Sequence, residues 1–181
     1  MEGQLRTIII AVAVLAAACG GQLPDSPTSP AATSLGLTQQ PPQGGTGLPL
    51  KGSYTSTSAS TFSPPITLII NGTGEGTSTV LGRFTAAYTH MVNVTNTMAT
   101  GTMTLTAANG DQLQAELAGH EDEFIPPNVS LTTVVATVVG GTGRFISATG
   151  NFTIRSRGVI DFGAETASES ATFQGTINLN R

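Results

Sequence analysis

The chain has 181 residues, of which 39% are hydrophobic and only 10% charged. That length holds one ordinary domain with appendages, and the abundance of Thr, Ser, Gly and Ala favours strands and turns, so the expected class is all-β. Formal net charge is −4 and the seven Lys and Arg are scattered along the sequence, which argues against nucleic acid as a partner; the sole cysteine, Cys19, leaves no intramolecular disulfide to hold the fold.

From the N-terminus, Met1–Arg6 carries one cation, Arg6, and is followed by the apolar run Ile8–Ala18. A helix of that length spans about 16 Å, short of the ~30 Å hydrocarbon core, so residues 1–18 read as a cleaved signal peptide. The run ends in Leu15-Ala16-Ala17-Ala18-Cys19-Gly20. This segment resembles the lipobox of bacterial lipoproteins, although its leucine lies one residue further from the cysteine than in the usual pattern. The resemblance implies a diacylglyceryl anchor with acyl chains such as palmitate on Cys19. It also implies a place in the bacterial cell envelope, with the membrane as partner and the chain facing the periplasm or the exterior. Residues 19–48, rich in Pro, Ser, Thr, Gln and Gly, have too little apolar surface to offset chain entropy and read as a disordered tether.

The domain is expected over residues 49–181. Strands are predicted at Lys51–Ser58, Thr67–Asn71, Thr79–Val92, Gly101–Ala108, a run from Leu113 to Leu117, Ser130–Val139, Gly150–Asp161 and Ala171–Asn180. Alternation is clearest in the last, with Ala171, Phe173, Gly175, Ile177 and Leu179 opposite polar neighbours. Asn109-Gly110 between alternating runs predicts a type I′ hairpin turn. No stretch has sustained helical spacing. Eight strands with turn signals between them suit a closed antiparallel barrel or, alternatively, a two-layer β-sandwich.

Between the sixth and seventh strands runs Gly140-Gly141-Thr142-Gly143-Arg144-Phe145-Ile146-Ser147-Ala148-Thr149-Gly150-Asn151-Phe152-Thr153. Gly140, Gly141 and Gly143 allow a sharp turn, Phe145 is placed to plug one end of a core, and Gly150 to permit a bulge at a barrel corner. The segment resembles the glycine-rich stretch of dirigent proteins, of allene oxide cyclases and, more closely, of bacterial proteins with an allene oxide cyclase barrel-like domain. Gly76–Phe84 resembles a second segment of those bacterial proteins. The resemblance implies an eight-stranded antiparallel barrel. The polar residues that serve the plant enzymes do not recur here at recognisable positions.

Candidates for chemistry are few. His90 ends a strand and reads as a rim or surface residue; His120 opens Gly119-His120-Glu121-Asp122-Glu123, read as a solvated acidic loop lacking EF-hand or zinc spacing. Arg155, Arg157 and Asp161 share one strand face, facing solvent or, if that face lines the interior, an anionic ligand. Neither a nucleophile-elbow Gly-x-Ser-x-Gly nor a P-loop ending is present. The sequons at Asn71, Asn93, Asn128 and Asn151 are expected by chance in a Thr-rich chain. No catalytic set, cofactor or metal is predicted. The expectation is a non-enzymatic binding or structural barrel whose partner is a small ligand or an envelope protein, the alternative being an isomerase or cyclase acting on a small apolar substrate.

Overall fold

The structure, a computed structural model, describes residues 47–179. The predicted signal peptide, Cys19 and most of the predicted tether fall outside the described residues. Eight strands follow in chain order: β1 (Leu48–Ser63), β2 (Thr67–Ser78), β3 (Gly82–Asn93), β4 (Met98–Ala107), β5 (Gln112–Ile125), β6 (Val129–Gly141), β7 (Thr149–Asp161) and β8 (Thr166–Asn178). Each pairs antiparallel with the next, and β8 pairs back onto β1, with Leu48 opposite Ile177 and Ala59 opposite Thr166. The sheet is therefore a closed barrel, and the sandwich alternative is set aside. Closure leaves no unpaired edge for another strand to join.

Period-two alternation decides what faces inward. Tyr54, Phe84, Phe152 and Phe173 meet inside the barrel with ring centroids 5.3–6.5 Å apart, in tilted and edge-on arrangements favoured by aromatic quadrupoles. The outward positions are mainly Thr, Ser, Asn and Gln. The base, where β1 enters and β8 leaves, is sealed by Leu50, Leu81, Leu113, Phe145, Ala148 and Ile177, all buried. The opposite, upper end carries the turns at residues 64–66, 94–97, 126–128 and 162–165.

The glycine-rich segment closes the base. Gly140 and Gly141 lie at the end of β6, and a single 3-10 turn, Gly143–Phe145, folds Phe145 under the barrel with no exposed surface. Gly143 has φ +55° and sits against the Asp111 carboxyl, where a Cβ would collide with it. Gly150 does not mark a bulge: β7 pairs with β6 and β8 without register shift there. The shifts fall in the β5–β6 pair, between Gln114 and Ala115 and between Glu121 and Glu123.

Three further expectations need correction. The β4–β5 turn is not type I′: only Gly110 (φ +89°) has positive φ, and the Gly110 N–H donates to the Ala107 carbonyl while Ala107 N–H donates to Asp111. This is a three-residue loop ending in a left-handed glycine. The strand predicted at Thr79–Val92 starts at Gly82, because residues 79–81 form the β2–β3 turn. Finally, Gly119–Glu123 is no loop but lies within β5, its polar side chains sitting around the bulge.

Candidate functional site

The inner face of β2 is a stripe of three glycines, Gly72, Gly74 and Gly76. A Cβ on any of them would run into a neighbouring strand: into the Tyr88 ring at Gly72, and into the β1 backbone at Gly74 and Gly76, at the Thr55 and Ser53 carbonyls. The bare position at Gly72 makes room inside the barrel for the Tyr88 ring, while Gly74 and Gly76 let β2 approach the β1 backbone closely. Tyr88 of β3 lies over Gly72, its partner in the β2–β3 ladder, and its hydroxyl meets the Ser56 hydroxyl of β1 at 3.1 Å.

Glu169 of β8 joins them. It is the ladder partner of Ser56, two residues before the buried Ala171, so its phase turns it inward. Its carboxyl interacts with the Tyr88 and Ser56 hydroxyls. Ser58 lies one inward step above Ser56 and is also buried. His90 follows Tyr88 at the next inward position of β3 and packs edge-on against it, with ring centroids 5.3 Å apart. Above this belt the inward positions are half-buried and mixed, with apolar Phe62, Ile70, Val92 and Ile160 beside Thr132 and Ser156, whose hydroxyls meet at 2.7 Å, and Ser130, which donates to Glu121.

Burial sets the protonation of the group. It raises the Glu169 carboxyl above the usual carboxylate range, and the Tyr88 and Ser56 hydroxyls only partly offset that. Burial, then the nearby Glu169 charge, push the Tyr88 phenol up to about 12; the same two causes, with Tyr88 third, raise Tyr54 further. Burial lowers His90, keeping it neutral where an exposed histidine begins to charge. The group thus offers a carboxyl biased towards its neutral form, two phenol donors, two serine hydroxyls and a neutral imidazole. Such a set can hold the polar end of a small molecule, and a carboxyl shifted towards neutrality beside a phenol can also exchange a proton with one.

Other candidates lie elsewhere. His120 pairs with Asp122 at 3.0 Å, both about half-exposed on the outer wall. Among the described residues, no group of three or more His, Cys, Asp or Glu is placed to hold a metal ion. Arg155, Arg157 and Asp161 point out to solvent, because Phe152 and Ile154 take the inward phase of β7. Gly140, Gly141, Gly143, Phe145 and Gly150 all lie at the base, at the end opposite His90.

Glu169, Tyr88, Ser56 and Ser58 were missed in the sequence. The available signal was phase: carrying the alternation of Phe173 and Ala171 back two residues turns Glu169 inward. No family model, curated protein or solved structure matches the chain.

Proposed function

We propose that this chain is a bacterial envelope lipoprotein, held to a membrane through a lipid on Cys19, whose barrel binds a small amphipathic ligand without transforming it. The lipobox-like segment at Cys19 supports the anchoring. The observation that carries the binding role is the Glu169–Ser56–Tyr88 group, which places titratable polar side chains inside the barrel directly above its aromatic core. A core needing only stability gains little from a half-buried carboxyl, since an apolar residue of similar size avoids its desolvation cost. With half-buried apolar positions above it, the group suits a ligand with a polar head and a hydrocarbon body.

The protein supplies its own reporter. It has two tyrosines and no Trp, and both tyrosines lie inside the barrel. Titration of the full chain with decanoate and 1-decanol should change tyrosine fluorescence saturably, and Glu169→Gln should shift the preference between the acid and the alcohol. Unchanged emission with both probes, together with unchanged melting temperature, refutes the binding role.

A second reading, an isomerase or cyclase, is favoured by one feature: the Glu169 carboxyl, raised by burial and set beside the Tyr88 hydroxyl, is placed to donate a proton to a bound compound. The resemblance of Gly140–Thr153 to allene oxide cyclase-like barrels adds to it as analogy of fold alone. Chemical conversion of an apolar compound from an envelope lipid extract, lost in Glu169→Gln, would establish this reading over the first.

A further inference from the structure

The outer wall holds a second feature, independent of the interior. Over β7, β8, β1 and β2 two adjoining shallow depressions, open to solvent and of about 530 and 540 Å³, share Thr55, Glu75, Arg157 and Ser170 and form one trough. Its floor is two columns of short hydroxyl side chains, paired across the β1–β8 ladder as Ser53 with Thr172, Thr55 with Ser170 and Thr57 with Ser168. Arg155 and Arg157 stand along one wall, on the same face of β7 about 6.6 Å apart by strand geometry. Glu75 stands on the other.

These groups are uncommitted. Among the described residues the ion pairs are His120–Asp122 and Arg144–Asp111, and neither Arg155 nor Arg157 has a partner. None of the six floor hydroxyls makes a side-chain hydrogen bond within the protein, whereas outward hydroxyls elsewhere do: Thr89 donates to Asn71 and Thr133 to Asp122. Lys51 lies one outward step from Ser53 on β1, so a third cation continues the floor column towards the base. A chain of net charge −4 thus presents free guanidinium groups beside free hydroxyls on one face.

We propose that this trough binds an acidic polysaccharide, with uronic-acid carboxylates on Arg155 and Arg157 and sugar hydroxyls on the Ser/Thr floor. A planar guanidinium matches a carboxylate with two parallel hydrogen bonds. Short hydroxyls, able both to donate and to accept, match the alternating demands of a sugar edge. The trough is shallow and open to solvent, so a polymer can cross it without its ends entering the protein. Nucleic acid fits less well, since the aromatic residue along the trough, Tyr54, keeps its ring buried among the aromatics of the interior and offers no face for base stacking. A phospholipid surface fits less well too, since Val159 is the trough's one large aliphatic side chain.

The test is electrophoresis of the full-length chain through gels containing polygalacturonate or neutral dextran. Retardation by polygalacturonate, absent with dextran and weakening as salt is added, is expected. Arg155→Gln with Arg157→Gln should weaken binding about tenfold, the scale of two exposed charge contacts. The charge-matched control Arg83→Gln with Arg144→Gln should leave it intact, and Glu75→Gln should strengthen it. Melting temperatures of all variants verify folding. Absence of retardation at low salt, equal loss in the control pair, or stronger binding to single-stranded DNA or anionic phospholipid vesicles than to polygalacturonate would overturn the proposal.

Discussion

Tyr88 rests its ring on Gly72, directly across the β2–β3 ladder, in space that a single methyl group would occupy. The polar group of the interior depends on that vacancy, because only from there does the Tyr88 hydroxyl reach Ser56. Gly72→Ala should therefore expel the ring and destabilise the barrel by about 1–3 kcal/mol, the usual cost of overpacking. Pairing it with Tyr88→Ala should recover part of the loss, since the smaller side chain vacates the contested space. Denaturant midpoints of the two single variants and the double variant measure the coupling, and strict additivity would show that ring and glycine do not compete.

Glu169 and His90 should give the barrel opposite pH responses. The Glu169 carboxyl is raised in the fold, so its contribution to stability is fully present below about 4.5, its ordinary value, and is lost as pH rises through the raised value. His90 is lowered by burial, so its contribution is present above 6.5 and lost as pH falls through the lowered value. Relative to wild type, Glu169→Gln should gain stability between pH 4 and pH 8, and His90→Gln should gain as pH falls from 7 to 4. Urea midpoints across that range read both, and parallel profiles for wild type and variants would show that neither group is perturbed.

The proposed anchoring rests on the lipobox-like residues before the barrel. Cys19→Ser should abolish labelling by a radioactive fatty acid and release the chain from membranes into the soluble fraction, while leaving the melting temperature of the barrel unchanged. Equal labelling of wild type and variant would end the lipoprotein reading.

Strands were legible where large apolar residues alternate with hydroxyls, as Met103, Leu105 and Ala107 do with the threonines of β4, because burial of one face demands that pattern. β2 was legible only as far as Asn71. Beyond it the inward positions are Gly72, Gly74 and Gly76, which carry no apolar alternation to follow although they line the interior. His120–Glu123 read as a loop for a related reason: solvated charge looks the same on an outward strand face as in a loop. The interior polar group was hidden because Ser168-Glu169-Ser170 is polar on both faces, and because Ser56 and Tyr88 meet across strands 32 residues apart in sequence. The trough was hidden likewise: hydroxyls on β1 and cations on β7 become neighbours only when β8 pairs with β1.

At the base, the glycine-rich segment and Phe145 make the last prediction. Phe145 is fully enclosed by the sealed end of the barrel, and its ring lies 4.9 Å under the Arg144 guanidinium. Phe145→Ala should cost about 3–5 kcal/mol, combining lost burial with the cavity left behind. Gly143→Val should cost about 1–3 kcal/mol, because a β-branched residue is strained at φ +55° and its Cβ would collide with the Asp111 carboxyl. Asp111→Ala in the Gly143→Val background removes the collision but not the backbone strain, so it should restore only part of the stability. Full rescue would assign the whole cost to the carboxyl contact and none to the backbone. Because the base lies at the end of the barrel opposite His90, tyrosine fluorescence in decanoate should still respond in every variant that remains folded. Loss of that response in a folded Phe145→Ala protein would show that the plug holds the interior polar group in shape through the full height of the barrel.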